Sequence, residues 1–300
     1  MKSVDLAPFR HLYPFKSHFA KINGFNYHYL DEGAGDAVVM VHGNPTWSFY
    51  FRELIKALSP YHRVFAVDHI GCGLSDKPDA DRYPYRLQNR IDDLDAFLEQ
   101  VYPKGPLTFV VHDWGGAIGL AVALNQIDRV RRLVVLNTAA FFPPSGKPLP
   151  WQLKVIRNLP PFATLAVKGF NLFARGAAVM AAHKKLAPDV KSGLTAPYNS
   201  WHNRTATLKF VQDIPLGPGD PSYAPVRQLD DGLHRFSDLP ILLSWGLRDF
   251  VFDADYLSEW QRRFPNAEAH AWEDAGHYVL EDQPGRVCDL VKTFFENHPV

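Results

Sequence analysis

A carboxylate nucleophile is the first chemistry this sequence offers. Residues 107–111 form a short apolar run, Val111-His112-Asp113-Trp114-Gly115-Gly116 closes it, and residues 117–126 have helical composition. That is the strand–turn–helix context of a nucleophile elbow, with aspartate where serine is commoner. A carboxylate is already ionised near neutral pH, so it attacks carbon without a base first removing its proton. Its targets are electrophilic carbons: halide-bearing, epoxide or strained lactone centres. An aspartate at a strand end can also simply cap the next helix; the surrounding His-Asp-Trp-Gly-Gly pattern favours catalysis.

Two further residues complete a candidate relay. Asp249, in Gly246-Leu247-Arg248-Asp249, follows the strand pattern at 240–245, and His277, in Asp274-Ala275-Gly276-His277-Tyr278, follows the one at Glu268–Trp272. Open α/β sheets place their sites at strand ends. The chain order nucleophile, acid, histidine is that of α/β-hydrolases. His277 is expected to activate water or move a proton, and Asp249 to orient its ring and stabilise the imidazolium. Asp253, four residues on, is a rival for the acid. A second constellation, His42-Gly43-Asn44-Pro45-Thr46-Trp47, follows the strand pattern Ala37–Val41. The backbone N–H groups of Asn44 and Trp114 are expected to form an anion hole. The Asn44 amide and the Trp114 indole add side-chain donors for a leaving halide or a developing carboxylate.

These residues need a sheet to bring them together. Strand patterns at 25–30, Ala37–Val41, Arg63–Val67, 107–111, 132–136, 240–245 and Glu268–Trp272 alternate with helical patterns at 49–58, Leu87–Val101, 117–126 and 284–296. That alternation predicts a mainly parallel sheet flanked by helices. From 141 to 233 it breaks into prolines, aromatics and short helical pieces with no clear strand, far longer than an ordinary connection. This segment reads as an inserted helical cap, with residues 1–140 and 234–300 as the core. Phe141, Phe142, Trp151, Phe162, Phe170, Phe173 and Trp201 are candidates for an apolar pocket wall, most of them expected to glue the cap to the core. Val111 stands two residues before the nucleophile, where glycine is common; a slightly wider turn with local strain is expected there.

Composition narrows the partners. The 300 residues are 46% apolar, enough for a sizeable core. Lys plus Arg equals Asp plus Glu at 32 each and no basic block stands out, so nucleic acid is not the expected partner. Two distant cysteines, Cys72 and Cys288, fit reduced thiols and a cytoplasmic protein. No secretory signal is expected, and no apolar run reaches the ~18 residues of a membrane span. The stretch 71–78 lacks the spacing of a phosphate loop, and Asp68 with the residues after it reads as a structural loop near the site. No histidine or cysteine spacing resembles a metal site, so neither metal nor organic cofactor is implied.

With these motifs assembled, the chain resembles the haloalkane dehalogenase branch of the α/β-hydrolase superfamily, over about residues 15–295. The pairing of His42-Gly43-Asn44-Pro45 with His112-Asp113-Trp114-Gly115-Gly116 is specific to it. Epoxide hydrolases share the second motif but usually lack the asparagine and polarise the epoxide with two cap tyrosines; Tyr198 and Tyr223 keep that option open. An acid at Asp249, with Asn44 paired to Trp114, looks like the third dehalogenase subgroup. Segments such as Ala196-Pro197-Tyr198-Asn199-Ser200-Trp201 and Asp249-Phe250-Val251-Phe252-Asp253 look close to the β-lactone decarboxylases of bacterial long-chain olefin biosynthesis. The resemblance implies an α/β-hydrolase fold with a mostly parallel central sheet and an inserted helical cap. It implies conversion of cis-3,4-dialkyl β-lactones to cis-alkenes and carbon dioxide without a cofactor. The implied partners are an apolar small-molecule substrate and other enzymes of that pathway, a β-lactone synthetase and a thiolase-like enzyme. Hydrolysis of haloalkanes to alcohol and halide is the alternative on the same residues.

Overall fold

The computed structural model describes residues 3–300. Eight strands form one sheet: β1 (His18–Ile22), β2 (Phe25–Glu32), β3 (Ala37–Val41), β4 (Arg63–Val67), β5 (Leu107–His112), β6 (Val130–Leu136), β7 (Ile241–Gly246) and β8 (Glu268–Trp272). Their order is β1-β2-β4-β3-β5-β6-β7-β8. The pairs β1/β2 and β2/β4 are antiparallel and all others parallel. β1, which the sequence pattern did not predict, forms a hairpin with β2 through Asn23 and Gly24, both at positive φ. The central strands β3, β5 and β7 are buried along their whole length, which is why they read as continuous apolar runs rather than as alternation.

Alternate side chains of each strand feed two cores. Val39, Val41, Phe109, Val111, Val135 and Leu243 face one side. There they meet α2 (Leu87–Val101) and α3 (Trp114–Asn125). Val38, Met40, Val110, Val134 and Leu242 face the other side, where α1 (Arg52–Leu58) packs.

No strand occurs between β6 and β7. The chain between them runs through α4 (Trp151–Asn158), α5 (Pro160–Ala163), a π-helical turn at Thr164–Gly169, α6 (Leu172–Met180), α7 (Pro188–Thr195), α8 (Thr205–Gln212) and α9 (Tyr223–Gly232). Prolines open α5 and α7 at positions where a missing N–H costs nothing. The last of these helices, α9, packs on α3 with Val226 and Leu229 in the core. After β7 come α10 (Ala254–Arg263), on the α3 side, and then α11 (Val279–Asp282) and α12 (Pro284–Asn297), on the α1 side. No helix among the described residues is long and apolar enough to cross a membrane.

Candidate active site

The elbow is built by one strained residue and several close approaches. Asp113, between β5 and α3, has φ 53° and ψ −129°, a conformation costly for a non-glycine residue. Three hydrogen bonds hold its backbone. Its N–H donates to the Asn137 carbonyl at 3.2 Å, and its carbonyl accepts from Gly116 N at 3.0 Å and from the Thr138 hydroxyl. Gly115 lies against the Val41 carbonyl and Gly116 against Thr138, so a Cβ at either would collide. Val111 itself has ordinary strand geometry between Val41 and Val135. A Cβ on Gly119 would lie 2.8 Å from Val111 Cγ1, so a glycine one helical turn into α3 makes room for the valine. The wider, strained turn expected at Val111 is thereby corrected: the strain sits on Asp113.

Asp113, His277 and Asp249 meet at the strand ends, all buried. His277 Nε2 lies 3.2 Å from Asp113 Oδ2, and Nδ1 donates to Asp249 Oδ2 at 2.7 Å. Burial works against a charge on His277, but the two carboxylates outweigh it and raise its pKa to about 10. Burial likewise opposes ionisation of Asp113, yet the hydrogen bond and charge of His277 hold its carboxyl below the usual range. The resting site is therefore an imidazolium between two carboxylates. Asp253 is not the acid: it caps α10 through Asp255 N and pairs with Lys147.

Two supporting residues have no role assigned from the sequence: His112, although it lies inside the elbow motif, and Asn137, which carries no spacing signal. Asn137, just past β6 and fully buried, donates from Nδ2 to Asp249 Oδ2 and to the Gly246 carbonyl, both at 3.0 Å. Its Oδ1 accepts from Gly246 N at 2.8 Å. Asp249 Oδ1 accepts from Val251 N at 2.7 Å, which fixes the carboxylate plane. His112 packs against the His277 ring at 4.6 Å and donates from Nε2 to the His277 carbonyl at 2.9 Å. Burial, reinforced by the positive charge next door, lowers its pKa to about 3, so it stays neutral.

The anion hole differs from expectation. The backbone N–H groups of Asn44 and Trp114 both donate to Asp113 Oδ1, at 2.9 and 2.5 Å. They grip the nucleophile's own oxygen and leave Oδ2 to face His277. Gly43 permits this, since a Cβ there would strike Asp113 Oδ1. The side-chain donors remain. Asn44 Nδ2 gives one N–H to the Thr207 carbonyl at 3.1 Å and keeps a second. The Trp114 indole N–H has no acceptor among the described residues, and both side chains line the cavity above Asp113. Residues between β6 and β7 hold this loop in place: Trp47 Nε1 donates to Gly193 O at 2.9 Å and Tyr198 OH to Thr46 O at 3.3 Å. Asp68 anchors the neighbouring loop by accepting from Ser48 N, Leu74 N and His28 Nδ1.

The cavity above the relay measures about 940 Å³. Phe141, Phe142, Trp151, Phe162 and Phe173 line it, which corrects the expectation that most of the seven aromatics only glue the cap to the core; Phe170 and Trp201 lie outside the wall. Tyr198 is buried on Thr46, and Tyr223 packs on Phe142; neither lines the cavity, so these two cap tyrosines are not placed to polarise an epoxide.

Comparison with known proteins fits this geometry. Residues 36–284 match the model of the alpha/beta hydrolase fold family. The chain is 48% identical over 284 residues to the cis-3-alkyl-4-alkyloxetan-2-one decarboxylase of Shewanella oneidensis, covering 94% of this chain and 89% of that protein. It is 43% identical over 279 residues to the enzyme of the same name from Xanthomonas campestris, covering 91% and 93%. Among solved structures, the haloalkane dehalogenase DatA of Agrobacterium tumefaciens superposes with a TM-score of 0.81 at 26% identity, covering 94% of this chain and 96% of that one. The chain belongs to the α/β-hydrolase fold family, in the group that holds the cis-3-alkyl-4-alkyloxetan-2-one decarboxylases, with haloalkane dehalogenases as more distant relatives.

Proposed function

We propose that this protein is a β-lactone decarboxylase, converting cis-3,4-dialkyl β-lactones to cis-alkenes and carbon dioxide. The observation that carries the mechanism is the grip of two backbone N–H groups on Asp113 Oδ1. That pair is already used, so it is not free to receive an oxyanion formed at a carbonyl. Attack therefore falls on C4, the saturated ring carbon bonded to the ring oxygen. Asp113 Oδ2 bonds to C4, the C4–O bond breaks, and the released carboxylate meets the Asn44 amide and Trp114 indole N–H. The C2–C3 electron pair then moves into the C3=C4 double bond. Carbon dioxide leaves, and the Asp113 carboxylate departs with its electrons. Inversion at C4 followed by anti elimination returns the cis geometry. The balance needs no water and no net proton. His277, held charged by Asp249, stabilises the departing carboxylate.

A second reading is hydrolysis of haloalkanes, with halide held by Asn44 and Trp114. One observation favours it: Asp113 lies 3.2 Å from His277, so once Asp113 is an ester it no longer attracts the His277 proton, and the neutral imidazole becomes available to take a proton from water. Product analysis separates the two. Purified protein given a cis-3,4-dialkyl β-lactone should yield cis-alkene, while a 1-bromoalkane should release little bromide; bromide with alcohol and an untouched lactone would reverse the assignment. The identity to two decarboxylases supports the first reading. In the cell we place it in the cytoplasm, where its two buried free thiols stay reduced, working in long-chain olefin biosynthesis beside a β-lactone synthetase and a thiolase-like enzyme.

A further inference from the structure

Several apolar residues that line the cavity are also open to solvent. Trp151 is 71% exposed, Phe162 57%, Leu172 and Leu216 each 54%, and Met180 51%. Large apolar side chains scattered singly are ordinary, but a cluster around one opening marks an interaction surface. Along residues 151–185, which carry all of these but Leu216, the charge has one sign. Residues 151–185 contain Lys154, Arg157, Lys168, Arg175, Lys184 and Lys185, and no Asp or Glu. Arg157 is paired with Asp220, whereas Lys154 and Arg175 are exposed with no ion pair among the described residues. Lys154 lies three residues from Trp151 on α4. Arg175 lies between Leu172 and Val179 on α6, at three and four residues, so cations and apolar groups share helix faces.

We propose that this face docks on an anionic phospholipid surface with the cavity mouth turned to the bilayer. Exposed Trp, Phe and Leu flanked by Lys and Arg is the composition of helices that lie in the headgroup layer. Each cation near such a surface tightens binding roughly fivefold. A bilayer covers the apolar rim without stopping the mouth, and it is where a lactone carrying two alkyl chains dissolves. The substrate comes from the function proposed above; the rim and its charge do not depend on it.

The test is co-sedimentation of the full chain with sucrose-loaded vesicles, either pure phosphatidylcholine or about one third phosphatidylglycerol, read without turnover. The protein should bind the anionic vesicles, and at least tenfold less well to neutral vesicles or in high salt. Lys154→Ser with Arg175→Ser should weaken binding roughly thirtyfold. Val179→Ser, exposed and outside the cavity wall, should weaken it further. Circular dichroism checks that each variant is folded. No binding by the unaltered protein, or binding indifferent to all three substitutions, overturns the proposal. So does a dimer in sedimentation velocity that Val179→Ser dissociates, since a second copy would then cover the face. Failure of lactone turnover with vesicle binding intact would count against the proposed reaction alone.

Discussion

Asp249→Asn should strip His277 of its proton without moving its ring. An ordinary imidazole titrates near 6.5 and His277 is raised to about 10, a preference for imidazolium of about 5 kcal/mol. Against the burial that opposes this charge, Asp249 at 2.7 Å is the strongest attraction, ahead of Asp113 at 3.2 Å. In the variant the amide oxygen must still accept the Val251 N–H, so its NH₂ faces two other donors, Asn137 Nδ2 and His277 Nδ1. Both effects favour neutral imidazole, and His277 should titrate at about 7 or lower. A group whose pKa rises on folding stabilises fully below its unfolded value, so this contribution is complete below about 6.5, declines above it, and is gone beyond about 10. The stability gap between parent and variant should therefore narrow as pH rises from 6.5 to 10. Carbon–proton NMR of the His277 imidazole, assigned with His277→Gln, reads the titration, and urea unfolding at several pH values reads the gap. A variant His277 still titrating near 10, or a gap that widens with pH, refutes the assignment of Asp249.

Three other outcomes follow from the geometry. Gly43→Ala pushes a methyl group into Asp113 Oδ1 and should lower kcat by roughly a hundredfold or more while far-ultraviolet circular dichroism stays unchanged. Asn137→Ala leaves Gly246 and Asp249 short of buried partners; urea unfolding should show a loss of about 2–4 kcal/mol, together with a lower kcat. Ala177→Phe fills part of the cavity wall, so a series of lactones should show kcat/KM falling most steeply for the longest chains.

The elbow was legible because its parts are local. A fully buried parallel strand reads as an apolar run, and Asp-Trp-Gly-Gly after it fixes a turn and a helix start. Asp249 and His277 were found by their places after β7 and β8. β1 escaped because His18, Phe19 and Lys21 stay solvent-exposed or half-buried, so only two of its five residues reach the core. Asn137 escaped because one asparagine past a strand carries no spacing; its role exists only once β6 and β7 lie side by side. The sequence located the backbone donors of Asn44 and Trp114 but not their direction, which depends on Asp113 turning Oδ1 back towards them. The room for Val111 comes from Gly119, a residue on a different element.

The most direct test of the central claim is the rate of cis-alkene formation from a cis-3,4-dialkyl β-lactone by Asp113→Ala, followed by gas chromatography beside the parent enzyme. If Asp113 Oδ2 opens the ring, the variant should fall by roughly 10⁴-fold or to the uncatalysed rate while remaining folded. A variant that forms cis-alkene at close to the parent rate would contradict the account.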